Sequence, residues 1–187
     1  MSDNKEVIDV IVKMVVISAV AAALLGITYG PTQDALHELQ AKQQEEALKA
    51  ILPAATTFPE VTDGVDDEGN PIVLYYRGVD ASGNTVGYVV KRQQVGAQGA
   101  IELIAGVSAD YSSITGMQVM KHSETPGLGA LIVDDWFKGQ FTNMPVADLS
   151  LKSKGGQVDA ITGATISSQA VVDALHGAVD VVTAQEA

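Results

Sequence analysis

Residues 158–175, VDAITGATISSQAVVDAL, gather Thr162, Gly163, Ala164 and Thr165 where an apolar run gives way to a helical pattern. Gly163 permits a sharp backbone turn. A helix entered at Thr165 leaves its first N–H groups without intrahelical acceptors and presents the positive end of its dipole. Such a corner suits an anion, above all a phosphate, and Gly163 and Ala164 leave room for one. The same residues suit a plain N-cap, in which the hydroxyl of Thr162 or Thr165 accepts from a first-turn amide, and this stretch alone favours the cap. Ser167 and Ser168 fall one step further, inside the helix. A second stretch, HSETPGLG at 122–129, supplies another set of groups. Pro126 and Gly127 form a turn pair, Gly129 lets backbone approach a ligand, and Glu124 and Thr125 put an acceptor and a hydroxyl beside it. Read alone, it is equally an ordinary surface loop.

Composition limits the chemistry these groups can serve. The chain has 187 residues, 47% of them hydrophobic, and a formal charge of −12. That charge argues against a nucleic-acid partner, which requires a basic patch. There is no cysteine, so the chain has no disulfide framework, no thiolate-held iron–sulfur cluster and no cysteine nucleophile. Redox work would need an organic cofactor. His37, His122 and His176 are scattered along the chain; His37 and His176 read as surface or packing residues, His122 stands apart because of its loop, and no metal site is expected.

The positioning elements follow from periodicity. Residues 10–29 form a run with Lys13 as its single charge; at about 1.5 Å per residue such a helix crosses a hydrocarbon layer of about 30 Å. The rival reading is a cleaved signal peptide, but the small-residue sites at Ala19–Ala21 and Ala21–Ala23 lie inside the apolar stretch. Residues 1–30 are therefore read as a transmembrane anchor, 31–53 as a stalk helix ending at Pro53, and 54–187 as one domain. Lys5 and Lys13 flank the span on one side and Lys42 on the other, which places the N-terminus in the cytoplasm and the acidic domain outside it. Four β-rich runs at 72–79, 85–92, 100–107 and 114–121 predict an antiparallel meander, with Met117 and Met120 in its core along with Trp136. Residues 131–141 suggest a short amphipathic helix and VDAI a short strand. From about Ile166 to Val182 a helix places Val171, Val172, Leu175, Val179 and Val182 on one face, to pack on the sheet. The class is α+β: one transmembrane helix, a stalk helix, and an antiparallel-sheet domain with a packed C-terminal helix.

HSETPGLG together with DAITGAT at 159–165, a single N-terminal span and LPA after the stalk resembles one family over essentially the whole chain. It is similar to the FMN-binding domain found in the G subunit of the Rnf complex, an ion-translocating ferredoxin:NAD oxidoreductase, and in the C subunit of the sodium-pumping NADH:quinone oxidoreductase. The chain lacks the longer insertions of the quinone-reductase protein, so it looks more like the Rnf one. A membrane-tethered flavin-binding regulatory or sensor module is a further alternative.

The resemblance implies a domain that binds FMN covalently, by a phosphoester to Thr165. It implies Thr162, Gly163, Ala164, His122, Glu124, Thr125, Gly127, Leu128 and Gly129 as cofactor-binding residues. It further implies electron transfer as one part of a larger enzyme, membrane and iron–sulfur subunits as partners, and a bacterial or archaeal cell membrane with the C-terminal domain extracytoplasmic. A threonine hydroxyl is a poor nucleophile without an activating base or metal. Within ten residues of Thr165 the ionisable side chains are Asp159 and Asp173, while Lys154 and His176 each lie eleven away. Self-attachment is therefore disfavoured; the resemblance implies a separate magnesium-dependent flavin transferase, with Asp159 as part of what that enzyme recognises.

Overall fold

The computed structural model describes residues 2–65, 69 and 71–186. These form two units, which meet in sequence between Glu45 and Glu46. Helix α1 (Ser2–Ile51) supplies the first and its last residues belong to the second; in the first it contains Ile8–Gly26, a stretch of mean hydropathy 2.4 that is exposed along its length and is long and apolar enough to cross a membrane. This fits a single-pass membrane protein. Lys13 pairs with Asp9 one turn earlier, so each charge meets its opposite within the helix. Helix α1 continues through Pro31 into the stalk residues. The side chain of His37 lies outside the described residues.

The second unit is built on a six-stranded antiparallel sheet in the order β1-β2-β3-β4-β5-β6. The strands are β1 (Glu60–Val65), β2 (Pro71–Val79), β3 (Thr85–Val95), β4 (Ala100–Ser108), β5 (Ser113–Lys121) and β6 (Met144–Pro145). The four central strands lie where alternation predicts them; β1 and β6 are additional. Helix α3 (Thr165–Glu186) packs on β3 and β4, and its predicted apolar face is buried at Val171, Val172, Leu175, Val179 and Val182. The last residue of α3, Glu186, accepts from the Tyr75 hydroxyl and the Arg77 guanidinium, which ties the helix end to β2.

Residues 131–141 do not form the single helix expected. A 3-10 turn (Gly129–Val133) leads to one turn of α-helix, α2 (Asp135–Lys138), and a second 3-10 turn (Gly139–Phe141). Asp134 is extended, with φ −70° and ψ 144°, and so interrupts the helical run. Ile132, Phe137 and Phe141 are fully buried, and Trp136 is left 51% exposed, outside the core in which it was expected. Met117 is buried and Met120 packs against the other face of the sheet.

Period-two alternation separates the two faces of the sheet. Tyr88, Val90, Leu103, Ala105 and Val107 join α3 in the main core. Val89 and Ile104 face the other way and are covered by Ala47, Leu48, Ile51, Leu52 and Ala55. The last residues of the expected stalk thus lie on the sheet, because glycines clear a trough for them. Gly78 is paired with Gly87 and Gly106 with Gly116. A Cβ at Gly106 would stand 2.2 Å from Ile51 Cγ2 and 2.1 Å from Thr115 Oγ1, and one at Gly78 would stand 2.9 Å from Leu52 Cδ1. Gly106→Val should therefore lift Ile51 from the sheet and lower stability by about 1–3 kcal/mol, the usual range for overpacking. The urea midpoint of the full chain measures this; an unchanged midpoint would mean that the trough does not hold the segment.

Candidate functional site

Thr165 is the first residue of α3 and is exposed. The turn before it runs through Thr162 and Gly163, and Gly163 takes φ 79°, the left-handed region that favours glycine. The predicted strand VDAI is absent. Only Val158 forms a bridge, to Leu151. Beyond it the Gln140 amide occupies the backbone of Asp159, accepting from its N–H at 2.7 Å and donating to its C=O at 3.3 Å, so no ladder extends past that point.

The corner is not a threonine cap. The Ala164 carbonyl accepts from Ser168 N at 3.0 Å, which puts Ala164 in the cap position and Thr165 inside the helix. Neither the Thr162 nor the Thr165 hydroxyl makes a hydrogen bond among the described residues. The amides of Thr165, Ile166 and Ser167 precede the first amide that reaches an intrahelical acceptor, so three donors and the dipole end converge near the exposed Thr165 hydroxyl. These residues fit a phosphoryl group.

The two serines that follow turn inward. Both are fully buried. Ser168 Oγ accepts from Ile161 N and donates to the Ala164 carbonyl, each at 3.0 Å, while Ala164 N reaches the Ile161 carbonyl at 2.9 Å. One hydroxyl therefore closes the Thr-Gly-Ala-Thr turn on itself. Ser167 Oγ donates to Glu124 Oε2 and joins the corner to the second motif.

That motif, residues 122–129, lies against the corner. Leu128 Cδ1 is 3.1 Å from where a Cβ on Gly163 would stand. Glu124 is 4% exposed, and its carboxylate points inward: Oε1 accepts from Gln98 N at 3.0 Å in the β3–β4 hairpin, and Oε2 accepts from Ser167. Burial opposes the charged form, but hydrogen bonds from the Gln98 amide, the Ser167 hydroxyl and the Ala97 and Gly99 amides outweigh it and hold the carboxyl below its ordinary value. His122 Nδ1 accepts from Glu124 N at 3.2 Å, so a neutral ring carries its proton on Nε2. Thr125, Gly127 and Leu128 are on the surface, and Gly127 takes φ 72° in the exposed turn. Gly129 is buried.

A shallow cleft of about 290 Å³ runs from Thr165 along α3, with Gln169 and Asp173 on the helix and Val95 and Lys154 on other segments. Folding thus brings Lys154 to the cleft of Thr165, although it is eleven residues away in sequence. Asp159 is exposed and paired with Lys152 at 2.7 Å. His176 packs rather than reacts, its Nε2 lying 2.6 Å from the Leu149 carbonyl. The inward roles of Gln98, Ser167 and Ser168 escaped the sequence reading; the paired glycines of VGAQGA at 95–100 were the one available sign that something large approaches that hairpin.

Ser168→Ala strands the buried Ile161 N–H and should cost about 1–3 kcal/mol in urea unfolding; a loss no larger than that of an exposed serine would show that the turn does not depend on it. For Glu124 the sign follows from its depressed value: its contribution is present above the unfolded carboxylate value and is lost as pH falls through the folded one. The stability gap between the native chain and Glu124→Gln should therefore begin to narrow as pH falls below the ordinary glutamate value of about 4.3. A gap constant from pH 7 to pH 3 would contradict an ionised, hydrogen-bonded Glu124.

Residues 96–180, which contain both motifs, match the FMN-binding domain family. The whole chain is 71% identical to the G subunit of the ion-translocating oxidoreductase complex of Methanosarcina acetivorans, covering 100% of both proteins. It is 32% identical to the G subunit of the Na(+)-translocating ferredoxin:NAD(+) oxidoreductase complex of Acetobacterium woodii, over 89% of this chain and 86% of that one. The proton-translocating counterpart of Clostridium ljungdahlii is 27% identical over 97% of this chain and 94% of its own. With its two motifs brought together at one corner and its likeness running from end to end, the chain belongs to the G-subunit family of Rnf-type ion-translocating oxidoreductase complexes.

Proposed function

We propose that this chain carries FMN as a phosphoester on Thr165 and transfers electrons as the flavin subunit of a membrane-bound, ion-translocating ferredoxin:NAD oxidoreductase. The observation that carries the reading is the division of hydroxyls at the corner. Ser167 and Ser168 are buried and bonded, whereas Thr165 is exposed, unbonded and beside three free amides. Thr162 is also exposed, but it lies across Gly163 from the helix start, so the dipole end favours Thr165.

Bound FMN supplies one- and two-electron redox chemistry that no side chain of a cysteine-free protein offers. The protein's part is to hold the phosphoryl group on the first-turn amides and to keep the corner rigid. No acid–base pair is needed. The surface-exposed turn gives a flavin transferase access to the hydroxyl, with Asp159 as the acidic residue of its recognition motif. The domain lies outside the cytoplasm, anchored by residues 8–26 and working with membrane and iron–sulfur subunits of the complex. A covalent link suits that location, because flavin lost there is not replaced from a cytoplasmic pool.

Co-expression of the full chain with a flavin transferase tests the assignment. The native chain should fluoresce under ultraviolet light on a denaturing gel, and its intact mass should exceed the sequence mass by FMN less one water. Thr165→Ala should abolish both signals and leave stability within about 0.5 kcal/mol, since the hydroxyl is exposed and unbonded. Thr162→Ala should load. A folded Thr165→Ala chain that still carries covalent FMN would overturn the assignment.

A further inference from the structure

We infer that Glu124 is a positioning residue of the flavin site: clamped between the Gln98 amide and the Ser167 hydroxyl, it fixes the 122–129 loop and the 95–100 hairpin to the helix start that presents Thr165. The inference rests on Thr165 as the attachment residue. Sequence alone sets Glu124 beside the ligand as an acceptor, whereas in the fold it is buried.

The first support is where polar side chains are buried. Among the described residues, the charged or serine side chains that are buried whole are Glu124, in the 122–129 motif, and Ser167 and Ser168, directly after the 159–165 motif. Elsewhere the fully buried side chains are apolar or tyrosine, and single polar atoms such as Thr115 Oγ1 and Arg92 Nε are buried without a cluster of this kind. A buried carboxylate is a poor way to gain stability, because an apolar side chain of similar volume commonly does as well or better. Its advantage is direction, since each oxygen needs a donor at a defined place. Oε1 takes its donor from the hairpin and Oε2 from α3, two residues past Thr165.

The second support is the room made for the carboxylate. A Cβ on Gly96 would lie 2.4 Å from Oε1, and one on Gly129 would lie 2.5 Å from Oε2 and 2.7 Å from Ser167 Oγ. Two separate segments therefore leave out a side chain at the place where Glu124 passes. The third is the fixing of its backbone: Glu124 N donates to His122 Nδ1, and the turn that follows closes through Leu128 N and Ala130 N on the Thr125 carbonyl, at 3.2 Å and 3.1 Å. Loop, hairpin and helix thus meet at one side chain. A small displacement there moves Leu128 and Thr165 relative to each other, which a purely structural residue in the distant core would not do.

The test uses the full chain with and without co-expressed flavin transferase, and compares Glu124→Gln and Ser167→Ala with Ile104→Val, a truncation in the cluster on the other face of the sheet. In the flavin-free chain, amide hydrogen exchange over residues 161–168 should rise about tenfold in Glu124→Gln and Ser167→Ala, the scale of one hydrogen bond to a charged group, and should not rise in Ile104→Val. In the loaded chain, the same two variants should take up flavin more slowly or show altered visible circular dichroism of the attached flavin, and the double variant should be no worse than the more affected single one. Ile104→Val should load normally despite a lower Tm. Unchanged corner exchange, or native loading rate and dichroism in both Glu124→Gln and Ser167→Ala, would overturn the role of Glu124. Absence of covalent flavin from the native chain would instead refute the attachment at Thr165, and the exchange measurement would still decide the clamp.

Discussion

A carboxylate removed from water has to find donors for both oxygens, and at Glu124 this requirement is met from two directions at once. The hairpin tip donates to one oxygen and helix α3 to the other. From that follows much of the local architecture: Gly96 and Gly129 stay without side chains, Ser167 turns inward, and the 122–129 loop is drawn onto the Thr-Gly-Ala-Thr corner. Ser168 completes the arrangement by bonding both ends of the turn. Every hydroxyl of the first helical turn except that of Thr165 is thereby engaged inside. The corner is hydrogen-bonded toward the core and open toward solvent at Thr165.

Much of the fold was legible because its signals are periodic. The central strands alternate cleanly, and the last helix carries one apolar face, so residue pattern and burial agree there. Strand β1, EVTDGV, escaped notice because it is an exposed edge strand containing glycine and aspartate, with little apolar alternation to detect. Strand β6 has two residues and exists through its pairing with β5. VDAI looked like a strand by composition, but a side chain distant in sequence, Gln140, takes the hydrogen bonds that a ladder would need. The 131–141 segment has helical spacing, yet three large buried residues are accommodated by a path broken at Asp134.

The site divides along the same line. The place of Thr165 at the start of α3 was legible because a glycine turn entering a helix is a local feature. The direction of Glu124 was not, since a glutamate beside a Pro-Gly turn reads as surface, and only the distant hairpin and the helix serine show that it is buried. The bonding of Ser167 and Ser168 and the arrival of Lys154 at the cleft beside Thr165 are likewise tertiary facts. The N-cap reading of the threonines failed for a related reason: Ala164 provides the cap carbonyl, and the turn is closed by a serine inside the helix.

The apolar span, the cysteine-free acidic chain and the FMN-binding domain are the basis of the proposal that the chain holds a fixed redox group at a membrane and leaves the remaining carriers to other subunits. Its central claim is the identity of the attachment residue. Cleavage after Lys154 by trypsin releases residues 155–187 as one peptide containing Thr162, Thr165, Ser167 and Ser168. Fragment-ion mass spectrometry of that peptide from the membrane-isolated native protein should place one FMN phosphoryl adduct on Thr165. An adduct on Thr162 or on either serine, or a peptide of unmodified mass with all flavin released on denaturation, would contradict the account.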